Sequence, residues 1–223
     1  MGRALGAGVD FESVLVDDDA TPSEIELATV LSRAGARRYE LGEAAMGKVS
    51  GRTHPAGIIG IAHSPTFALD ALSLSDVPLL LIADAIEKPG NVGALSRSAD
   101  GAGADAVIVS DPATDLVNPN VIRASQGAVF SAAVGAESGE NVAGWLAARA
   151  IPAVAAAAEA TPSLWDFDLT GPIAIVIGSE HAGLSAPWHS VPKIAIPMLG
   201  HSDSLNAATA AALLLYETMR QRR

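Results

Sequence analysis

Two textures alternate along the chain. Short runs in which nearly every position is apolar, bounded by Gly, Pro, Asp or Ser, are separated by stretches whose apolar residues recur at helical spacing. The runs are PLLLIAD (78–84), AVIVSD (106–111), AVFSAAV (128–134), IPAVAAAA (151–158), PIAIVIG (172–178) and KIAIPM (193–198). Helices are predicted between them at Asn91 to Ala102, near Asn118 to Ser125, at Glu140 to Arg149, and at a closing Leu205 to Arg220. Strands that are apolar on both sides and alternate with helices imply a doubly wound parallel sheet covered on both faces, an α/β architecture. Ahead of it, ESVLVD (12–17), a helix from Pro22 to Ala34 and GIIGIA (57–62) read as a small α/β unit, and HSPTFALDALSLSDVP (63–78) reads as a linker. The expected division is therefore a small domain over 1–72 and a larger one over 77–223.

In an open α/β sheet, ligands bind beyond the carboxyl ends of the strands. Three such ends carry polar clusters: EKPGNVGALSR (87–97), GSEHAGLS (178–185) and PMLGHSDSLNAA (197–208). Asn91 is placed to cap a helix, and Arg97 is either a surface charge or a ligand contact. Glu180 sits between Gly178 and Gly183 in a GxExxG turn, either as an ordinary solvated residue or as a paired carboxylate. Ser204 is the expected N-cap of the closing helix. Capping accounts for one of Ser202, Asp203, Ser204 and Asn206, but hardly for all four.

Composition removes several chemistries. With no cysteine there are no disulfides and no thiolate nucleophile, and the five histidines show no metal-ligand spacing, so no metal site is expected. No run of about 18 apolar residues occurs, and MGRALGAGVD lacks the flanks of a signal peptide, which predicts a cytoplasmic protein with no membrane association. The net charge of −11 is spread along the chain, with 6 basic and 11 acidic residues up to Asp76 and 8 and 14 beyond it. Phosphate affinity comes from Lys and Arg, so any nucleic-acid contact must rest on a few placed cations rather than on a basic coat. His201, Ser202, Asp203 and Ser204 are too close in sequence to converge as a hydrolytic triad, and no GxSxG elbow is present. GNVG and GAGA do not make the GxGxxG of a nicotinamide site.

Taken together and in order, NVGALSR, IVIGSEHAGLS and IPMLGHSDSLNAATAAALLLYE resemble the three motifs of the SpoU (TrmH-like) RNA 2′-O-ribose methyltransferases of the SPOUT superfamily, over Val77 to Glu217. The resemblance implies a C-terminal trefoil knot, S-adenosylmethionine as cofactor, a ribose 2′-hydroxyl of tRNA or rRNA as acceptor, and a homodimer supported by the closing helix. Gly178, Ile196 and Leu205 are implied to bind the cofactor, with Met198 lining the same pocket. Asn91, Arg97, Glu180, Ser204 and Asn206 are implied as the polar active-site positions. Arg97 would bind phosphate and stabilise a developing alkoxide, because a guanidinium stays protonated and makes a poor base. Asn91 and Ser204 would orient the ribose or Arg97, Asn206 would brace the motif loops, and Glu180 would pair with a cation. Arg123, in IRASQGAVF, is either a helix-end charge or a phosphate contact.

The N-terminal part resembles the small ribosomal-protein-like RNA-binding domain that often precedes this catalytic domain. It begins without that domain's usual opening helix and strand, and Ala56 stands where relatives commonly carry Gln. Lys48, Arg52 and His54 cluster there, either as RNA contacts or as ordinary charges of a solvated loop. The alternative function is a non-catalytic RNA-binding or assembly module on the same fold, against which the presence of every polar motif position argues.

Overall fold

The computed structural model describes residues 1–52 and 54–223, which divide into two compact units, Met1–Thr66 and Phe67–Arg223. The division falls at Thr66 rather than after Leu72. Phe67 O accepts from Ala136 N at 2.8 Å, and Leu69 and Leu72 join the core of the second unit.

The first unit comprises α1 (Gly2–Gly6), β1 (Phe11–Asp17), α2 (Pro22–Arg33), β2 (Arg37–Leu41), α3 (Glu43–Ser50) and β3 (Ile58–Ala62). Its sheet has the order β2-β1-β3, with β1 parallel to β2 and antiparallel to β3. A capping box starts α2: Thr21 Oγ1 accepts from Glu24 N, and Glu24 Oε2 accepts from Thr21 N at 2.9 Å. The sequence pattern marks neither β2 nor α3. RRYEL is polar and exposed except at Leu41 because β2 is an edge strand, where charge discourages pairing with another chain.

The second unit runs β4 (Leu79–Asp84), α4 (Pro89–Ala102), β5 (Ala106–Ser110), α5 (Pro119–Ala124), α6 (Ala128–Ser131), β6 (Val134–Glu137), α7 (Gly139–Ala148), β7 (Ala153–Ala156), β8 (Ile173–Ile177), β9 (Lys193–Ile194) and α8 (Ala207–Gln221). Its described residues form a six-stranded, wholly parallel sheet in the order β6-β5-β4-β8-β7-β9. The strands read as unbroken apolar runs because both faces are covered. Leu79, Leu81 and Ala83 pack with α4 and α8 residues, whereas Leu80 and Ile82 pack with Val142, Trp145 and Leu146 of α7 and with Trp188.

Several boundaries differ from expectation. AVFSAAV is not a strand: Gly127, at φ 81°, starts the single-turn α6, and β6 begins only at Val134. A continuous apolar run fits a buried helical turn as well as a buried strand, and periodicity cannot separate them. KIAIPM is a strand for two residues only, and Ala195 continues it through a bridge to Ser163. Asn91 does not cap α4, which begins at Pro89, a residue suited to the first helical position because its missing N–H would have no partner there. Ser204 does not cap α8 either; Asn206 does, its Oδ1 accepting from Ala208 N at 3.0 Å.

Candidate active site

The three polar clusters meet at the carboxyl ends of β4 and β8. Glu180 is the point of convergence. Its Oε1 accepts from Asn91 Nδ2 at 3.0 Å and from Asn206 Nδ2 at 2.9 Å, and its Oε2 accepts from Lys88 Nζ in a very short contact. Asn206 Nδ2 also reaches Asn91 Oδ1 at 3.4 Å. The Lys88 ammonium and then the Asn91 amide hold the Glu180 carboxyl below its ordinary value, burial opposing them. Three of the five polar positions picked from sequence are thus in contact. Sequence patterning passes over Lys88, the cation directly before the Pro89-Gly90-Asn91 turn, because only the fold brings it to Glu180.

Beside this cluster lies a cavity of about 400 Å³, within the range of small-molecule sites. Gly178, Ile196, Met198 and Leu205 all line it, with Glu180, Ser204, and alanines of the β7 end and of α8. Gly178 is required by proximity rather than by backbone angle. A Cβ there would lie 2.6 Å from Gly183 O and 2.9 Å from Leu184 N, so the turn closes directly upon it. Reciprocal hydrogen bonds hold that closure, Ser179 N to Gly183 O at 2.9 Å and Gly183 N to Ser179 O at 3.0 Å.

Arg97 is exposed on α4, and its side chain makes no hydrogen bond or ion pair among the described residues; it does not join the Glu180 cluster. Ser204 is exposed in the loop before α8 and borders the cavity. Arg123 is exposed on α5, donating to Asn120 Oδ1. Lys48 at the end of α3, Arg52 and His54 are exposed in the first unit. His201, Ser202, Asp203 and Ser204 are exposed, and none is hydrogen-bonded to another among the described residues, so no hydrolytic triad forms. No cluster of metal-ligating side chains occurs among the described residues, and no helix there is long and apolar enough to cross a membrane.

A profile of the SpoU rRNA Methylase family matches residues 78–216. The chain is 37% identical over 176 residues to a 23S rRNA (uridine(2479)-2′-O)-methyltransferase of Streptomyces viridochromogenes, a match covering 75% of this chain and 61% of that one. Among solved structures it is similar to an RNA 2′-O ribose methyltransferase at 42% identity and a TM-score of 0.84, covering 99% of this chain and 85% of that one. It is also similar to the SpoU methyltransferase AviRb from Streptomyces viridochromogenes, solved with AdoMet, at 31% identity and a TM-score of 0.89, covering 99% and 87%. With the profile spanning well over half the chain, across all three polar clusters and the cavity they border, the protein belongs to the SpoU rRNA methylase family.

Proposed function

We propose that the protein is an S-adenosylmethionine-dependent RNA methyltransferase acting on a ribose 2′-hydroxyl, with ribosomal RNA as the first substrate to test and tRNA as the second. One observation carries the reading: Glu180 borders the cavity and also anchors the Asn91–Asn206 cluster, so a cofactor pocket and a polar site adjoin. The cavity suits the cofactor. Apolar Ile196, Met198 and Leu205 can enclose an adenosine, and the bare backbone of Gly178 permits close approach. When bound, the cofactor supplies an electrophilic methyl group on a sulfonium.

The chain's own residues would align the acceptor oxygen and stabilise the charge that develops as it loses its proton. Arg97 is suited to an RNA phosphate because its guanidinium is exposed and uncommitted, and its planar fork matches phosphate geometry. The hydrogen bonds of Asn206 support its role as a brace, and the Lys88 contact supports that of Glu180 as a carboxylate paired with a cation. Asn91, whose amide is held by Glu180, and Ser204 at the cavity edge would orient the ribose or Arg97. Arg123, Lys48 and Arg52 are proposed as outlying RNA contacts, the last two on a small N-terminal RNA-binding domain, with the enzyme working in the cytoplasm.

We further infer a trefoil knot in the C-terminal segment and a homodimer. Supporting the knot, Ala195 pairs with the 162–164 segment at the edge of the sheet, after which the chain returns to lay α8 against α4 and β8. Supporting the dimer, Leu213 and Tyr216 remain 39% and 47% exposed on α8, although Ala211, Leu214 and Leu215 are buried within the unit. The deciding experiment incubates the protein with labelled S-adenosylmethionine and unmodified ribosomal RNA or tRNA, then maps any methylated nucleotide. Label in a base rather than a ribose, or RNA binding with no transfer, would overturn the reading.

A further inference from the structure

A buried carboxylate underlies the turn that carries Gly178 and Glu180. Asp84 ends β4 with 0% exposure and has no ion-pair partner among the described residues. Its Oδ1 accepts from Ser110 Oγ at 3.0 Å, Ser185 Oγ at 2.8 Å and Trp188 Nε1 at 3.0 Å, while its Oδ2 accepts from Ser185 N at 2.7 Å. Burying a carboxylate is costly unless donors surround it. An apolar residue would fill the end of a fully covered strand without that cost, so the position is better explained by what the carboxylate holds. Three of its four hydrogen bonds come from Ser185 and Trp188, the residues through which the chain leaves the 178–184 turn.

That turn is fixed at its leading end by the β4–β8 ladder, where Ala83 lies opposite Ile177. At its trailing end Ser185 is bonded to Asp84 by both backbone and side chain. At the end of the other strand, β4, Ala85, which follows Asp84, stands at φ 51°, a region L side chains disfavour, and its N–H is taken by Ser110 O at 2.9 Å. The backbone after Asp84 is therefore held in place by its surroundings.

We propose that Asp84 is a positioning residue for the cofactor pocket. Its carboxylate fixes Ser185, and through Ser185 it holds the Gly178–Gly183 turn in the conformation that lines the cavity. The inference rests on the reading that the cavity takes S-adenosylmethionine.

Asp84→Asn tests it. The amide keeps an Oδ1-type acceptor for Ser110, the Ser185 hydroxyl and Trp188, but presents N–H groups to the Ser185 N–H, which loses its acceptor. Amide hydrogen exchange over Gly183–Trp188 should quicken roughly tenfold or more, as expected for losing a charge-assisted bond, with β4 and β5 unchanged. By calorimetric titration, affinity for S-adenosylmethionine should fall by roughly the same factor. In turnover, KM for the cofactor should rise while kcat at saturation stays within about threefold. Unchanged exchange in a folded variant overturns the proposal, even if binding weakens. If Asp84→Asn does not fold, Ser185→Ala decides: it removes only the hydroxyl bond and should shift exchange and affinity in the same direction by roughly threefold, and no shift overturns the proposal. A parent protein that binds no S-adenosylmethionine defeats the cofactor reading alone, and exchange then still decides the role of Asp84.

Discussion

Adding one methyl group at Gly178 should cost cofactor affinity without unfolding the protein. The added Cβ would lie 2.6 Å from Gly183 O, 2.7 Å from Gly183 C and 2.9 Å from Leu184 N, all backbone atoms. Comfortable carbon contacts are about 3.5–4.0 Å, so the turn must open by several tenths of an ångström or more. It cannot do so freely, because Gly183 N and O both bond to Ser179 and Ala182 N bonds to Ser179 Oγ at 3.0 Å. Overpacking of this kind costs about 1–3 kcal/mol. If the strain is relieved by letting the turn leave its pocket-lining conformation, the penalty falls on binding, roughly five- to 150-fold for Gly178→Ala and more for Gly178→Val. Isothermal titration with S-adenosylmethionine, alongside a thermal melt, measures both parts. Affinity within twofold of the parent in a folded Gly178→Ala protein would refute the claim that this close approach shapes the pocket.

Arg97→Ala should abolish methyl transfer in the labelled-RNA assay while leaving cofactor affinity within about threefold, and Arg97→Lys should fail as well, because a point charge lacks the guanidinium fork; near-parental turnover in either variant removes Arg97 from the site. Glu217, buried on α8, has its carboxyl lowered to about 2 from 4.5, first by the paired N–H groups of Arg220 and then by Gln221. Because the folded value is depressed, its stabilisation is present in full above the unfolded value near 4.5 and is gone once pH has fallen through about 2. Denaturant titrations of Glu217→Gln should accordingly show a flatter loss of stability across that window than the parent. Light scattering at micromolar concentration should give twice the 22.6 kDa chain mass, with an interface of roughly 1,600 Å² or more, and Leu213→Glu with Tyr216→Glu should return it to the monomer; a parent that stays monomeric as concentration rises rejects the dimer.

The larger unit is legible in sequence because burial on two faces leaves strand interiors almost wholly apolar, as in IAIVI and in LLLIAD up to its terminal Asp84. The same uniformity hid what AVFSAAV does, since neither period shows in a run with no polar marks. The edge strand RRYEL was invisible for the opposite reason: it buries too little to need an apolar pattern. At the candidate site, the motif order groups Asn91, Glu180 and Asn206, whereas the local helix-start pattern points to Ser204 as the cap. Asx and hydroxyl side chains cap equally well, and only the local backbone decides between them. Asp84 and Lys88 escaped notice because each looks ordinary in one dimension. A strand-ending Asp and a loop Lys gain meaning only when partners 101, 104 and 92 residues away arrive.

Asn206 spends the two ends of one amide on different tasks. Its oxygen caps α8 through Ala208 N, while its nitrogen holds Glu180 and, at longer range, Asn91. Fraying of the first turn of α8 and disarming of the polar cluster are consequently one event rather than two. Ala207 and Ala210 of that same turn also line the cavity beside Gly178 and Ile196, so loosening it would loosen a pocket wall together with the polar cluster. The amino end of the last helix is thereby tied through one side chain to residues as far as 115 positions away.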